Sequence, residues 1–176
     1  MTYADACFRE LELLPTSPTS TLVAAIRARG IDVPAGLDHD AVLDLAFSTL
    51  VVPGFERDAL TFVHDYPASQ AALARLKPGS PPVAARFEVF AGGIELANGF
   101  AELTDAAEQR RRFEAELAAR RRAGRVTPPL DEAFLAALEG LPECAGVAIG
   151  VDRLVALAAG VDSVAAAMSF AHARDA

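Results

Sequence analysis

Apolar residues recur every three or four positions along the first third of the chain, and this spacing predicts helices. Residues 3 to 13 place apolar side chains on one helical face behind Thr2, a candidate N-cap. A second helix is predicted from a Ser20 cap to Gly30, and a third follows Asp38 and ends at Pro53. Together they predict a helical subdomain over residues 1–58.

Alternation of apolar with small or polar residues replaces the helical spacing from residue 60 onward. LTFVHDY at 60–66 predicts a buried strand followed by a short helix or turn, and RFEVFAGGIELANGFAELTD at 86–105 predicts a β-hairpin that turns at Gly92-Gly93. Further helices are predicted at 104–124 and 131–140, then a strand at 144–149 and a helix at 151–159. The predicted fold class is α+β, in which residues 59–176 form about four mainly antiparallel strands with helices packed on one face.

The second strand of the hairpin carries Glu95, Asn98 and Glu102. In a regular strand Asn98 and Glu102 share one face and Glu95 points to the other, so we predict a bulge at residues 97–99 that brings Glu95 beside Glu102. Two carboxylates and a carboxamide on one face suit a hard divalent cation or a cationic ligand such as an ammonium group. The alternative is a solvent-facing strand with ordinary surface acids.

Composition and charge narrow the classes of function. An apolar content of 52% is typical of a globular protein, and a net charge of -8 favours cationic ligands over nucleic acid. Two cysteines and three scattered histidines form neither a disulfide framework nor a metal-ligand spacing. The sequence shows no signal peptide or membrane segment, so we expect a cytoplasmic protein without membrane contact.

Seven of the sixteen basic residues are arginines between positions 110 and 125. Acidic residues at helical spacing among them favour a solvated helix face with i,i+4 ion pairs. The alternative is a docking surface for an acidic protein or RNA. His64, beside Asp65 in a predicted strand, is interpreted as a structural residue and not as a general base.

The segment CAGVAIGVDRLVALAAG at 144–160 joins a strand to a helix through Gly150. A glycine at this junction lets a ligand approach the backbone, and Arg153 in the first helical turn adds positive charge beside amides that favour anions. The pattern suits a nucleotide triphosphate, but it is too common to be specific by itself.

Two motifs together resemble a known family. GIELANGFAELTD at 93–105 and GVAIGVDRL at 146–154 resemble the C-terminal half of the catalytic domain of class II lysyl-tRNA synthetases, with residues 144–160 similar to their motif 3. The similarity extends through TFVHDYPASQAALARL at 61–76 and is greatest to the synthetase paralogues that attach β-lysine to elongation factor P. Ala148 resembles those paralogues, because lysyl-tRNA synthetases usually have glycine at this position.

The resemblance implies ATP and Mg²⁺ as cofactors and a role for each matching residue. Those implied to bind ATP are Glu95, Leu96, Gly150 and Arg153, with Mg²⁺ held by Glu95 and Glu102. Those implied to bind the amino-acid substrate are Asn98, Glu102 and Ala148. The implied catalytic residues are Arg153 and Glu102.

The implied activity is ATP-dependent ligation of lysine or β-lysine, in which an aminoacyl-adenylate is opened by an acceptor lysine of a protein such as elongation factor P. Nothing resembles the tRNA anticodon-binding domain, so tRNA is not the expected acceptor. Motifs 1 and 2 of the family do not occur in this sequence, and we expect the chain to self-associate or to pair with an N-terminal half. The alternatives are a non-catalytic module that binds an amino acid or nucleotide, and a lysine–tRNA ligase.

Overall fold

A computed structural model describes residues 1–170 of the chain and contains seven α-helices and five β-strands. The helices are α1 (Tyr3–Leu11), α2 (Thr19–Ala28), α3 (His39–Ala46), α4 (Ala106–Arg122), α5 (Glu132–Leu138), α6 (Val151–Ala159) and α7 (Val164–Ala167). The strands are β1 (Thr61–Pro67), β2 (Leu76–Lys77), β3 (Val83–Ala91), β4 (Ile94–Ala101) and β5 (Ala145–Ile149).

Polar side chains determine where two of the first three helices begin. Thr2 and Asp5 form a reciprocal capping box at α1, and the Asp38 carboxylate accepts a hydrogen bond from the backbone of residue 41 at the start of α3. The predicted Ser20 cap is wrong. The helix begins at Thr19 behind Pro18, which has no N–H to leave unpaired and whose φ of -53° already suits a helix entry.

The third predicted helix reaches Pro53, but it changes type on the way. After α3 the chain forms a π-helical turn at Phe47–Val51 and a 3-10 turn at Val52–Gly54. The hydroxyls of Ser48 and Thr49 donate hydrogen bonds to the carbonyls of Asp44 and Leu45, respectively. Such side-chain bonds compete with the regular helical pattern and bend helices, which accounts for the irregular turns.

The four longer strands form one antiparallel sheet in the order β1, β3, β4, β5, and β2 pairs with the start of β3. The predicted α+β class is confirmed, with five strands instead of about four, because the segment at 68–77 ends in the short strand β2. Gly92 and Gly93 join β3 to β4 with φ values of 57° and 79°. Positive φ at both central residues matches a two-residue hairpin turn to the twist of its strands.

The bulge in β4 lies at Leu96, so its prediction at residues 97–99 is wrong in position. Val89 pairs with Ala97 but the next residue, Phe90, pairs with Glu95, which leaves Leu96 as the extra residue. Gly99 serves close packing instead, because a Cβ atom there would lie 2.5 Å from the Phe87 ring. The bulge has the predicted effect of turning Glu95 to the face of Asn98.

The first three helices pack on one face of β1 and β3 and share a single hydrophobic core with them. Tyr3 stacks on Phe47 with ring centroids 4.5 Å apart, and Val63 of β1 is fully buried below them. The helices cover only part of this sheet face, and Ala148 of β5 on the same face is exposed.

Among residues 1–170, no helix is both long and apolar enough to span a membrane. The division of the chain at residues 58 and 59 stays a prediction.

Candidate active site on the sheet face

The register of the strands places Glu95, Asn98 and Glu102 on one face of the sheet. Asn98 lies opposite Glu88 of β3 and Ala148 of β5, and Glu95 lies opposite Phe90. Glu102 follows the last residue of β4, where its N–H donates to a carbonyl of the segment before β5. At about 3.3 Å per residue, the Cα atoms of Glu95 and Glu102 are on the order of 20 Å apart along β4. Their side chains share a face, and the Glu102 carboxylate reaches back to Gly146. That both carboxylates bind one ion stays a prediction.

The nearest acidic neighbour of Glu95 on this face is Glu88, which the sequence reasoning missed. Glu88 is only 9% exposed, and it lies diagonally across the strand pair from Glu95, a separation at which long side chains meet. Both carboxylates line a cleft of about 350 Å³ beneath the helices, with Asp44 on its wall. Period-2 alternation in RFEVF puts Glu88 on the same face as Arg86. This alternation is the feature of the sequence that could have identified Glu88 as a site residue.

A hydrogen-bond network holds Glu88 in place. The Tyr66 hydroxyl donates to Glu88 Oε2 at 2.7 Å, and Arg86 Nη2 donates to Glu88 Oε1. Arg86 also donates from Nη1 to the Gln70 carbonyl at 2.9 Å and from Nε to Asn98 Oδ1 at 3.4 Å. Because Asn98 accepts through its oxygen, its NH₂ group is left as a donor for another partner.

Arg153 lies next to Glu95, as its implied role requires. Its Nη1 donates to the Glu95 carbonyl at 2.7 Å and is 3.7 Å from the Glu95 carboxylate. Burial and the negative charge of Glu88 raise the pKa of Glu95, and Arg153 opposes this shift. Burial and the neighbouring Asp40 likewise raise the pKa of Asp44. A cleft that holds several carboxylates against their own repulsion favours a cationic ligand.

Two glycines and a bulged leucine join β5 to this site. The Gly150 N–H donates to the Leu96 carbonyl at 2.8 Å, which brings the strand–helix junction beside Glu95. The Leu96 side chain itself is buried, so only its backbone lies at the junction. A Cβ atom on Gly146 would lie 2.6 Å from Glu102 Oε1, so the missing side chain makes room for that carboxylate.

The carboxylates present suit a magnesium ion that is shared with a ligand. Within residues 1–170, no three His, Cys, Asp or Glu side chains come together as the ligands of one metal ion. Mg²⁺ does not require such a cage, since it is usually bound through one or two carboxylates together with waters and substrate phosphates. Glu88 and Glu95 line one cleft, and the Glu95–Glu102 pair implied by resemblance stays a prediction.

Comparison with known proteins identifies the family of this chain. A sequence profile of the tRNA synthetases class II (D, K and N) matches residues 10–174. The chain belongs to this class II synthetase family. In this structure, the pairing of β5 with the acidic strand β4 positions the candidate site.

The curated relatives of this chain include ligases that modify elongation factor P. The elongation factor P (R)-beta-lysine ligase of Klebsiella pneumoniae (strain 342) is 45% identical over 97% of the chain and 54% of the relative's length. The ligase of the same name from Vibrio cholerae is 44% identical over 99% of the chain and 55% of its own length. The chain therefore spans about half the length of the curated relatives it matches.

The arginines of α4 divide into paired and exposed groups. Arg110 bonds to Glu132, Arg111 and Arg112 both bond to Glu108, and Arg120 bonds to Glu116. Arg112–Glu108 and Arg120–Glu116 are the predicted i,i+4 pairs, whereas Arg110 pairs across to α5 and Arg112 also donates to the Ala72 and Ala74 carbonyls. His64 Nδ1 lies 3.2 Å from the Asp65 carboxylate on the face opposite the candidate site, which agrees with a structural histidine.

Proposed function

We propose that the chain is the C-terminal part of an ATP-dependent ligase that activates lysine or β-lysine and transfers it to a protein lysine, of the type that modifies elongation factor P. The supporting observation is the convergence of the motif residues of β4, β5 and α6 around one sheet face. Relatives with 44–45% identity carry the name of such a ligase. ATP is the energy source, and bound Mg²⁺ would neutralise charge on its phosphates.

The proposed roles follow from the contacts of each residue. Arg153 uses one of its five N–H donors on the Glu95 carbonyl, which orients the remaining donors toward an anion such as a phosphate. Glu95 and Glu102, the pair implied by resemblance, would hold Mg²⁺ together with phosphate oxygens. Glu88 would add negative charge beside Glu95, because its two oxygens already accept from Tyr66 and Arg86.

The amino-acid substrate is proposed to lie over β4 and β5. The Asn98 NH₂ group donates toward a substrate oxygen, and the Glu102 carboxylate accepts from an ammonium group. Ala148 lies directly opposite Asn98, so its methyl group forms part of the pocket wall. A methyl group at this place changes the shape available to the substrate backbone, as discrimination between lysine and β-lysine requires.

The proposed acceptor is a protein in the cytoplasm, with elongation factor P as the candidate. The net charge of -8 disfavours tRNA, whose phosphates the chain as a whole repels. Because the chain spans about half of its relatives, full activity is proposed to need either self-association or an N-terminal half that supplies motifs 1 and 2.

Lysine-dependent ATP–pyrophosphate exchange tests the proposal. The chain is assayed alone and together with the segment of the Klebsiella pneumoniae relative that it does not match, using lysine and (R)-β-lysine as substrates. We expect exchange with at least one substrate in the combined sample, and we expect Arg153→Ala to abolish it. Arg125→Ala is the matched control, because it removes an exposed arginine far along the chain from the site.

Isothermal titration with ATP and Mg²⁺ separates the alternatives. Binding that Arg153→Ala removes, without exchange in any combination, would replace the ligase with a non-catalytic nucleotide-binding module. Transfer of lysine to tRNA in preference to elongation factor P would favour the lysine–tRNA ligase. A folded combined sample without either binding or exchange contradicts the proposal altogether.

A further inference from the structure

A short segment lies beside Glu102 and pairs with its backbone. Residues 72–75, which we name the 72–75 segment, run antiparallel to the end of β4, and Ala74 forms a β-bridge with Glu102. Two backbone hydrogen bonds flank this bridge, from the Arg75 N–H to the Ala101 carbonyl at 2.8 Å and from the Leu103 N–H to the Leu73 carbonyl at 2.9 Å. The segment therefore fixes the backbone on both sides of Glu102.

The 72–75 segment needs support from outside to keep its conformation. It connects the 3-10 turn Ala68–Gln70 to β2, and within it Ala72 has a φ of 49°. This left-handed region is unfavourable for alanine, because the Cβ atom comes too close to the following carbonyl oxygen. Contacts with another element must hold the segment in this shape.

Arg112 of α4 makes those contacts. Its Nη1 donates to the Ala72 carbonyl at 3.1 Å and to the Ala74 carbonyl at 2.8 Å. Its Nε donates to the Glu108 carboxylate at 2.9 Å, so the guanidinium group is fixed from two sides. The Arg112 side chain is only 20% exposed, and hydrogen bonds from a charged donor are stronger than those between neutral groups. Arg112 thus ties the segment to α4.

The neighbouring Arg111 differs from Arg112 in this one respect. Both arginines pair with the Glu108 carboxylate, but the Arg111 side chain is 66% exposed and points to no carbonyl of the segment. An exposed helix ion pair contributes little, whereas the carbonyl of the fully buried Ala74 is costly to leave without its donor. The two adjacent arginines therefore separate an ordinary surface pair from a contact that reaches the site.

We propose that Arg112 is a positioning residue for Glu102, because it holds the 72–75 segment that fixes the backbone of Glu102. The inference rests on the proposed function, in which the Glu102 carboxylate accepts from an ammonium group of the substrate. When Arg112 is removed, the segment is free to leave the end of β4, and the Glu102 carboxylate moves from its place beside Gly146. Nucleotide binding is expected to stay unchanged, because Arg153 bonds to Glu95 at the other end of β4.

Arg112→Gln and Arg111→Gln form a matched pair, since each removes one positive charge and one contact with Glu108. In ATP–pyrophosphate exchange by the combined sample, we expect Arg112→Gln to raise KM for lysine at least about 10-fold and to leave KM for ATP unchanged. Arg111→Gln is expected to leave both KM values unchanged. A residue that only stabilised the fold would lower the active fraction, which reduces kcat and leaves both KM values as they are.

Two measurements on the chain alone need no activity. Amide hydrogen exchange at Arg75 and Leu103 is expected to be at least about 10-fold faster in Arg112→Gln, because their hydrogen bonds to β4 and the segment open more often. The Gly150 amide, which is bonded at the other end of β4, is the internal reference. The carboxyl carbon-13 resonance of Glu102 is expected to shift in Arg112→Gln and to stay in place in the control variant.

Arg112→Lys replaces Arg112→Gln in all three measurements if the glutamine variant does not fold. It keeps the charge, but an ammonium group lacks the planar fork that reaches Glu108 and the segment together. We expect changes in the same direction and of smaller size, and wild-type values in the lysine variant would then contradict the inference.

The outcomes decide between positioning and packing. Unchanged hydrogen exchange at Arg75 and Leu103 in folded Arg112→Gln overturns the inference, and so does an unchanged Glu102 resonance. A lowered kcat with unchanged KM for lysine assigns Arg112 to stability alone and also overturns it. An inactive wild-type combined sample contradicts the proposed function, whereas the amide and carbon-13 measurements still decide whether Arg112 positions Glu102.

Discussion

Gly146→Ala tests whether β5 positions the Glu102 carboxylate. A Cβ atom on Gly146 would lie 2.6 Å from Glu102 Oε1, closer than carbon and oxygen atoms approach in folded proteins. The carboxylate therefore has to move away from β5. Glu102 is only partly buried and the conflict involves the end of a flexible side chain, so we expect the free energy of unfolding to change by less than about 1 kcal/mol.

The effect on function is expected to be larger than the effect on stability. Misplacing a substrate-positioning group by about 1 Å can cost about 10²-fold in activity. We therefore expect kcat/KM for lysine in ATP–pyrophosphate exchange by the combined sample to fall by about this factor, while ATP binding by titration stays unchanged because Arg153 and Glu95 are untouched.

Gly99→Ala is the matched glycine substitution on the neighbouring strand. Its Cβ atom would meet the Phe87 ring at 2.5 Å and the Gly146 carbonyl oxygen at 2.8 Å. Because backbone cannot move aside as a side chain can, we expect a loss of about 1–3 kcal/mol in unfolding free energy. The reasoning is refuted if Gly146→Ala retains wild-type lysine kinetics in the folded protein, or if it destabilises the chain as much as Gly99→Ala.

Three further substitutions test the electrostatics and the core. Burial and Glu88 raise the folded-state pKa of Glu95 above its ordinary 4.5, so protonation of Glu95 favours folding below that pH and this contribution is lost as the pH rises through the folded pKa. Glu95→Gln is thus expected to stabilise the chain at pH 7 by less than about 1 kcal/mol, with no gain near about pH 4 in thermal melts; an equal gain at both pH values contradicts the assignment. Tyr66→Phe removes the hydrogen bond to Glu88 Oε2 and should cost about 1.5–3 kcal/mol in urea unfolding, so a neutral result would show that the bond contributes nothing. Ile26→Ala creates a cavity at a fully buried position and should cost about 2–5 kcal/mol in the same assay, whereas a cost near zero would contradict the packing of α2.

Local patterns were sufficient to predict most of the elements. Asp38 caps α3, the Gly92-Gly93 turn joins β3 to β4, and Gly150 joins β5 to α6, because each depends on residues close together in sequence. The prediction failed where local preference did not decide the outcome. Ser20 is a better capping residue than Pro18, yet the helix begins behind Pro18, and the strand pairing that defines β2 is not visible in two residues.

The candidate site was only partly predictable. Glu95, Asn98, Glu102 and Arg153 stand out because they combine charged or amide groups with strand or helix-junction spacing. Glu88 was missed because a single acid in an apolar strand is not distinctive until the partner strand is known. Its importance follows from the register that places it opposite Asn98 and near Glu95, and from its bond to Tyr66 of another strand.

The sequence by itself determined which segments form helices, strands and turns, and which side chains bring chemistry to β4, β5 and α6. Only the tertiary structure decided how those side chains combine. The bulge at Leu96, whose carbonyl accepts from Gly150, turns Glu95 toward Glu88 and Arg153 and leaves Glu102 at the other end of the strand. A bulge depends on hydrogen bonds between strands distant in sequence, and the one extra residue that it inserts exchanges the two faces of everything beyond it.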